Sequence, residues 1–140
     1  FFRDRGDEIH LSVISSSPHG VADGFCSPPT EAVKAALREC EQRESCALFG
    51  LPAGRLVFLR LAEDESGHPA ESDDNFARLR GHLQELRPGM IFMPHGNDTN
   101  AGHRFAFRTL LRCADPAGSP SSSVFSSGVG SPVRRYADAQ

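Results

Sequence analysis

A run of twelve residues in the last third of the chain concentrates side chains suited to chemistry. Residues 93–104 contain two imidazoles, one carboxylate and two amides, and they follow a short apolar stretch at 91–93 that is typical of a buried strand. These polar residues are His95, Asn97, Asp98, Asn100 and His103. Open α/β sheets bind their ligands at the carboxyl ends of strands, so the run is predicted to be a functional site or half of one.

Two other predicted strands also end in polar residues, with His19 after the first and Asp64 after the second. Because parallel strands place their carboxyl ends at one edge of a sheet, we expect His19, Asp64 and His95 to be neighbours, with His103 in the first turn of the next helix. Neutral imidazole and carboxylate oxygen suit zinc, and a catalytic zinc takes three protein ligands and leaves a position for water. The pattern predicts a metal site.

Structural roles are the alternative for each of these residues. The spacing between His95 and His103 is not a recognised metal-ligand spacing, and a histidine in a loop often bonds only a backbone carbonyl. Asp98 could serve as an N-cap or Asx-turn residue, with Asn97 and Asn100 as turn formers. The polar residues at the other two strand ends are also typical of solvated loops. Both interpretations stay open at the level of the sequence.

Strand and helix patterns alternate along the chain. Apolar and β-forming residues predict strands at 9–14, 55–61 and 91–93, and helical periodicity predicts helices at about 30–49 and at 73–86. A third helical pattern follows residues 93–104. The order β-α-β-α-β-α predicts parallel strands joined by right-handed crossovers, in a three-layer αβα sandwich.

Composition limits the classes of protein that fit. With 140 residues the chain suits one domain, which we place at residues 1–115, and the Pro-, Gly- and Ser-rich remainder, 116–140, predicts a flexible tail. Fifteen basic residues against eighteen acidic ones leave a net charge of −3, so nucleic-acid binding is not expected. No stretch is apolar enough to span a bilayer, and no signal peptide is expected.

The four cysteines lack the C-x-x-C spacing of zinc or redox sites. They are Cys26, Cys40, Cys46 and Cys113. Buried free thiols are the preferred interpretation, which points to a reducing compartment and predicts a cytoplasmic protein.

Two segments of the chain resemble the PIG-L/LmbE-like deacetylases, zinc-dependent enzymes that remove acetyl groups from N-acetylglucosamine-type amino sugars. Residues 93–104 resemble the third motif of that family. Residues 37–50 resemble its helix of form R-x-x-E-x-x-x-A-x-x-x-L-G, with Ser45 and Phe49 in place of the usual Ala and Leu. The resemblance covers residues 1 to about 113 and implies a Rossmann-like, mostly parallel sheet.

The resemblance also implies roles for individual residues. In the family, zinc is held by a His and an Asp of an HPDD-type motif after the first strand and by one later His, which aligns with His103. Asp98 matches the acid that leads this motif, and Asn100 stands where the family has an auxiliary histidine that stabilises the oxyanion or protonates the leaving amine. An amide can donate a hydrogen bond but cannot deliver a proton near pH 7, so His95 becomes the candidate to replace that histidine.

No HPDD-type sequence occurs in these 140 residues, where the single His-Pro pair is His68-Pro69. We therefore expect the first strand and its motif to precede Phe1, which leaves an unpaired sheet edge through which the chain could oligomerise. The predicted function is a zinc-dependent N-deacetylase acting on a small N-acetylated sugar or conjugate, of which this chain alone is an inactive fragment. The alternatives are a non-catalytic carbohydrate- or nucleotide-sugar-binding α/β module, and an α/β domain whose two loop histidines are only structural. His19 and Asp64 are weaker candidates for substrate contact.

Overall fold

The computed structural model describes residues 5–113 with their side chains and, beyond them, the backbone of 123–128 and 131–135. The chain is mixed α/β and divides into two compact units, residues 1–68 and 69–140. Each unit has a small sheet of its own that contains one parallel pair of strands. The assignment of residues 1–115 to one domain stays a prediction.

The first unit is a β-α-β arrangement in which β1 (Leu11–Val13) pairs in parallel with β2 (Leu56–Phe58). Helix α1 (Glu31–Leu48) connects them. The helix begins after Thr30, whose hydroxyl accepts a hydrogen bond from the N–H three residues further on. It ends before Gly50, which has a φ of +70°, a conformation that glycine adopts without steric cost.

A buried carboxylate ties α1 to the segments that follow β1 and β2. Glu39 accepts two hydrogen bonds from the guanidinium of Arg60, at 2.7 and 2.9 Å, and a third from the hydroxyl of Ser16 at 3.1 Å. Arg43 also donates to Glu39, at 3.3 Å, and its guanidinium lies 4.4 Å from the centroid of the Phe58 ring. These contacts satisfy a carboxylate that would otherwise be costly to bury.

The second unit contains α2 (Asp73–Leu86), β3 (Met90–Pro94) and α3 (Ala101–Cys113), followed by β4 (Ser123–Gly128) and β5 (Ser131–Arg135). Strand β3 pairs in parallel with β4, and β4 pairs in antiparallel with β5. The unit β3-α3-β4 therefore repeats the β-α-β connection of the first unit. Its arrangement places the β3–α3 loop at the carboxyl end of a parallel strand.

The core of the second unit consists of side chains from α2, β3 and α3. Its buried hydrophobic members are Leu79, Met93, Phe105, Ala106 and Leu110. Asn75, also buried, donates its side-chain N–H to the carbonyl of Ala70 at 2.8 Å. Helix α2 begins after Ser72, whose hydroxyl accepts from the N–H of Asn75. The N-terminus of this helix is thus both capped and packed.

The predicted order of elements is confirmed, and both long helices lie within a residue of their predicted bounds. Strands β1 and β2 are shorter than predicted, whereas β3 extends one residue beyond its predicted bounds at each end. Strand β3 is hydrogen bonded to β4 rather than included in the sheet of β1 and β2. The two strands β4 and β5 fall in the segment for which the sequence predicted a flexible tail. The rest of 116–140 lies outside the described residues, and there the flexible tail stays a prediction.

The cysteines are free, as expected, but most of them are not buried. Cys46 is buried, Cys26 and Cys113 are partly exposed, and Cys40 is exposed on α1. The prediction of a buried thiol was wrong for Cys40 because its position faces solvent, where its S–H group contacts the Glu44 carboxylate at 3.5 Å. Within the described part of the chain, no helix combines the length and apolar character needed to cross a membrane.

Candidate functional site

The loop between β3 and α3 is closed by hydrogen bonds between its own residues. The N–H of Asp98 donates to the carbonyl of His95 at 3.1 Å, and the N–H of Asn100 donates to Asp98 Oδ1 at 2.8 Å. The N–H of His103 donates to Asn100 Oδ1 at 3.2 Å, which makes Asn100 the N-cap of α3. Asp98 thus has the Asx-turn role that was considered for it, whereas the N-cap of α3 is Asn100 and not Asp98. These hydrogen bonds position the polar side chains of the loop.

Asp98 and His103 form a hydrogen-bonded pair, with Oδ2 and Nδ1 3.0 Å apart. The backbone N–H of Asn100 and, second, the His103 ring lower the pKa of the Asp98 carboxyl below its usual range. An ionised carboxylate can only accept, so Nδ1 of His103 carries the proton and Nε2 of the neutral ring keeps its lone pair. The His103 side chain is 53% exposed. This geometry prepares Nε2 to bind a metal ion or to accept a proton.

His95 presents the opposite chemistry. The backbone N–H of Asn97 donates to His95 Nδ1 at 3.1 Å, so the proton of the neutral ring lies on Nε2. The ring centroid is 6.1 Å from that of Phe107 on α3, and the two ring planes are inclined at 43°. The two imidazoles therefore have opposite capacities. Nε2 of His103 can accept a hydrogen bond, and Nε2 of His95 can donate one.

Gly96 allows the loop to approach α3 closely. A Cβ atom at this position would lie 2.6 Å from Cε1 of Phe107, which is closer than side-chain atoms can pack. The small size of residue 96 therefore helps to set the position of the neighbouring His95 ring.

Replacing Gly96 by alanine is expected to lower the free energy of unfolding by about 1 kcal/mol, because the Phe107 ring or the loop must move. The expected result in a ¹H–¹⁵N NMR spectrum is a set of shifts around residues 95–103. Gly89→Ala is the control, since nothing lies within 4 Å of a Cβ at that position. Equal unfolding midpoints and unshifted loop resonances in the two variants would contradict the packing described.

Arg104, which the sequence pattern did not indicate as a site residue, binds the backbone of this loop. Its Nη1 donates to the carbonyls of Asp98 and Thr99, at 2.8 Å each. Its charge is also among the causes that lower the pKa of Asp98, after those already described. The available signal was its position directly after His103, at the start of a helix that follows a polar loop.

His19 lies in the first unit, in a short 3₁₀ turn (Pro18–Gly20) after β1. Its Nε2 is 3.6 Å from Glu31 Oε1, and its ring packs against Gly67. A Cβ on Gly67 would come within 2.2 Å of the ring, and Gly67 has a φ of +74°, so glycine is required there for two reasons. His19 is exposed and available for ligand contact, but it has a structural partner on each side.

Asp64 closes a turn after β2. Its Oδ1 accepts from the N–H groups of Ser66 and His68, and the His68 hydrogen bond is the largest cause of the lowered pKa of Asp64. Asp64 and His19 both line one open groove of about 500 Å³ in the first unit. The other polar residues lining this groove are Ser16, Glu31, Arg60, Glu63 and Glu65. The structure thus brings these two predicted residues together at one groove.

Among the residues that the structure describes, no group of three His, Cys, Asp or Glu side chains is placed to hold a metal ion. The β3–α3 loop offers one imidazole nitrogen with a free lone pair, Nε2 of His103, whereas a catalytic zinc needs three protein ligands.

A comparison of the chain with models of protein families, with curated proteins and with solved structures finds no match in any of the three.

Proposed function

We propose that residues 93–104 form part of the active site of a zinc-dependent N-deacetylase of the PIG-L/LmbE type, which removes an acetyl group from an N-acetylglucosamine-type amide. The observation that carries this proposal is the Asp98–His103 pair. Histidines that bind metal ions commonly donate their other ring N–H to a carboxylate, which fixes the tautomer and the ring orientation. In this proposal His103 is the zinc ligand contributed by the loop, and Asp98 orients it.

Hydrolysis of an acetamide develops negative charge on the carbonyl oxygen, and hydrogen-bond donors near that oxygen lower the barrier. His95 is the proposed donor, through the N–H at Nε2 that its contact with Asn97 implies. Asn100 uses its side-chain oxygen to cap α3, which leaves its NH₂ group as a second donor. Of the two, the imidazole is the group that can deliver a proton to the leaving amine near pH 7, and it does so as an imidazolium, for which Nδ1 takes up a proton in place of the Asn97 hydrogen bond.

The proposal includes the three-layer, Rossmann-like αβα fold of that family. Its support is the alternation of strands and helices, together with the parallel pairing of β1 with β2 and of β3 with β4. Because no HPDD-type motif occurs in these 140 residues, two of the family's zinc ligands are missing, and we expect these residues alone to have little or no hydrolase activity.

A second candidate function is a carbohydrate-binding module without a metal. It is favoured by the amide of Asn100, which stands at the place of the family's auxiliary histidine. In this case Asn97, Asp98 and Asn100 would bind sugar hydroxyls directly. Amide and carboxylate groups are suited to such contacts because they donate or accept several hydrogen bonds.

The test is a ¹H–¹⁵N NMR titration of the chain with the methyl glycoside of N-acetylglucosamine, in zinc and separately in a chelator. Methyl glucoside, which lacks the acetamide, is the control ligand. The deacetylase proposal predicts acetamide-dependent shifts at residues 95–103 that are larger in zinc. Equal shifts in the chelator would support the metal-free module, and no shift in either condition would contradict both.

A further inference from the structure

We propose that Arg104 is a positioning residue that holds the β3–α3 loop in the one arrangement in which Asp98 can orient the ring of His103. Arg104 acts on the His103 ring through the backbone of the loop, because its Nη1 donates hydrogen bonds to the carbonyl groups of Asp98 and Thr99.

The two hydrogen bonds of Arg104 determine the direction of successive peptide groups. One nitrogen, Nη1, donates to both carbonyls at 2.8 Å, so the two oxygens converge on a single cationic group. Without that group the two carbonyl dipoles would repel each other and turn towards water. Arg104 therefore holds the peptide between Asp98 and Thr99 in addition to the hydrogen bonds that the loop makes within itself.

The orientation of the backbone decides what the Asp98 carboxylate can reach. With its peptide groups held, Asp98 directs Oδ1 to the N–H of Asn100 at 2.8 Å and Oδ2 to Nδ1 of His103 at 3.0 Å. Each carboxylate oxygen has its own partner. Rotation of the Asp98 backbone would move both oxygens, and the bond to the exposed His103 ring would be the first to open.

The Asp98–His103 pair is too exposed to maintain this geometry unaided. The His103 side chain is 53% exposed and that of Asp98 31% exposed, and exposed ion pairs contribute little because water competes and two side chains must be ordered. Arg104 lies in the first turn of α3, next to His103, so the helix fixes the start of its side chain. Because the backbone of Arg104 is fixed in α3, its two hydrogen bonds restrict the conformations of the loop backbone.

The consequence is a defined tautomer of His103, with the proton on Nδ1 and the lone pair on Nε2. This inference rests on the proposed function only for its metal readout, because the tautomer can be measured without any ligand. The inference is that Arg104 favours the His103 tautomer with a lone pair on Nε2. Arg108, one turn further along α3, has no such effect. Arg108 pairs with Glu71 instead.

The test compares Arg104→Met with Arg108→Met by ¹⁵N NMR of the histidine ring nitrogens, at one pH at which the rings are neutral. In the native chain and in Arg108→Met, we expect His103 to be mostly the Nδ1–H tautomer. In Arg104→Met, we expect a mixture of the two tautomers. Zinc affinity should fall by about tenfold in Arg104→Met alone, the lower end of what losing an indirect support of a metal ligand costs.

Equal His103 tautomer populations in the two methionine variants would overturn the proposal. If circular dichroism shows that Arg104→Met is unfolded, the pair Arg104→Lys and Arg108→Lys replaces it. An ammonium group lacks the planar fork of guanidinium, so a weakened tautomer preference is expected in Arg104→Lys alone, and equal spectra in that pair overturn the proposal. If Arg104 controls the tautomer but no variant binds zinc, the positioning role stands and the deacetylase proposal fails.

Discussion

Replacing Leu79 by alanine is expected to lower the free energy of unfolding by about 3 kcal/mol, the largest effect of any single substitution considered for this chain. Leu79 is 1% exposed on α2, in the core that also contains Met93 and Phe105. Removing most of its side chain loses buried apolar surface and leaves a cavity that a packed core fills only in part. Urea unfolding followed by circular dichroism measures the change.

The same substitution at an exposed leucine is the control, because it removes the same atoms without removing buried contacts. Leu48, at the end of α1, is 87% exposed, so Leu48→Ala should change the unfolding free energy by less than about 0.5 kcal/mol. If Leu79→Ala cost no more than Leu48→Ala, the core described for the second unit would be incorrect.

Glu39→Gln is expected to lower the free energy of unfolding by about 2 kcal/mol near neutral pH. The substitution keeps the shape of the side chain but removes the charge that Arg60 and Arg43 bind and places an NH₂ group against their donors. Arg60 and Arg43 are more exposed than Glu39 and can turn to water, which keeps the effect below that of a fully buried pair.

The effect of Glu39 also has a defined pH dependence. The Arg60 hydrogen bonds, and then that of Ser16, hold the pKa of Glu39 below its usual range in the folded chain. A carboxyl with a depressed folded pKa stabilises the fold above its unfolded pKa, and this contribution is lost as the pH falls through the folded value. The stability difference between native and Glu39→Gln should thus be constant above about pH 5 and shrink below about pH 4.

Glu41→Gln is the control for this prediction. Glu41 lies on the exposed side of α1, where its Oε2 is 3.7 Å from Nη1 of Arg38. Removing its charge should change the unfolding free energy by less than about 0.5 kcal/mol at any pH in this range. A difference between native and Glu39→Gln that stayed constant down to pH 3 would contradict the assigned role of Glu39.

The helices could be predicted because their signals are local. Thr30 and Gly50 border α1, and Ser72 begins α2, and each acts within one turn through a cap or a permitted φ. The apolar residues of 73–86 recur at helical spacing, at Phe76, Leu79, Leu83 and Leu86, and Leu79 is the one that is fully buried. These interactions need no knowledge of distant parts of the chain.

Sheet membership could not be predicted in the same way. The partner of β3 is β4, a segment rich in serine and glycine that carries little intrinsic preference for a strand. Strand pairing depends on contacts between distant residues, and three-residue strands such as β1 and β2 contribute few of them. The sequence pattern therefore predicted strands in the right order but not the partner of β3.

The side chains of the candidate site could be predicted from the sequence, but the hydrogen bonds that hold the loop backbone could not. The types and spacing of Asp98, Asn100 and His103 indicated both a site and a cap; the structure shows the turn, the cap and the Asp98–His103 hydrogen bond, and the site stays a proposal. The role of Arg104 could not be predicted, because its partners are backbone carbonyl groups, which are present at every residue and do not appear in a pattern of side-chain types.

The most direct test of the central claim is a calorimetric zinc titration, with metal analysis, of the native chain, His103→Ala and His10→Ala. His10 is the matched control because it already pairs with Glu8, at 2.7 Å, and lies outside the β3–α3 loop. The account predicts weak binding of one zinc ion by the native chain and by His10→Ala, and an affinity at least about tenfold lower in His103→Ala. Equal zinc affinity in all three proteins, or no zinc binding by any of them, would contradict the assignment of His103 as a metal ligand.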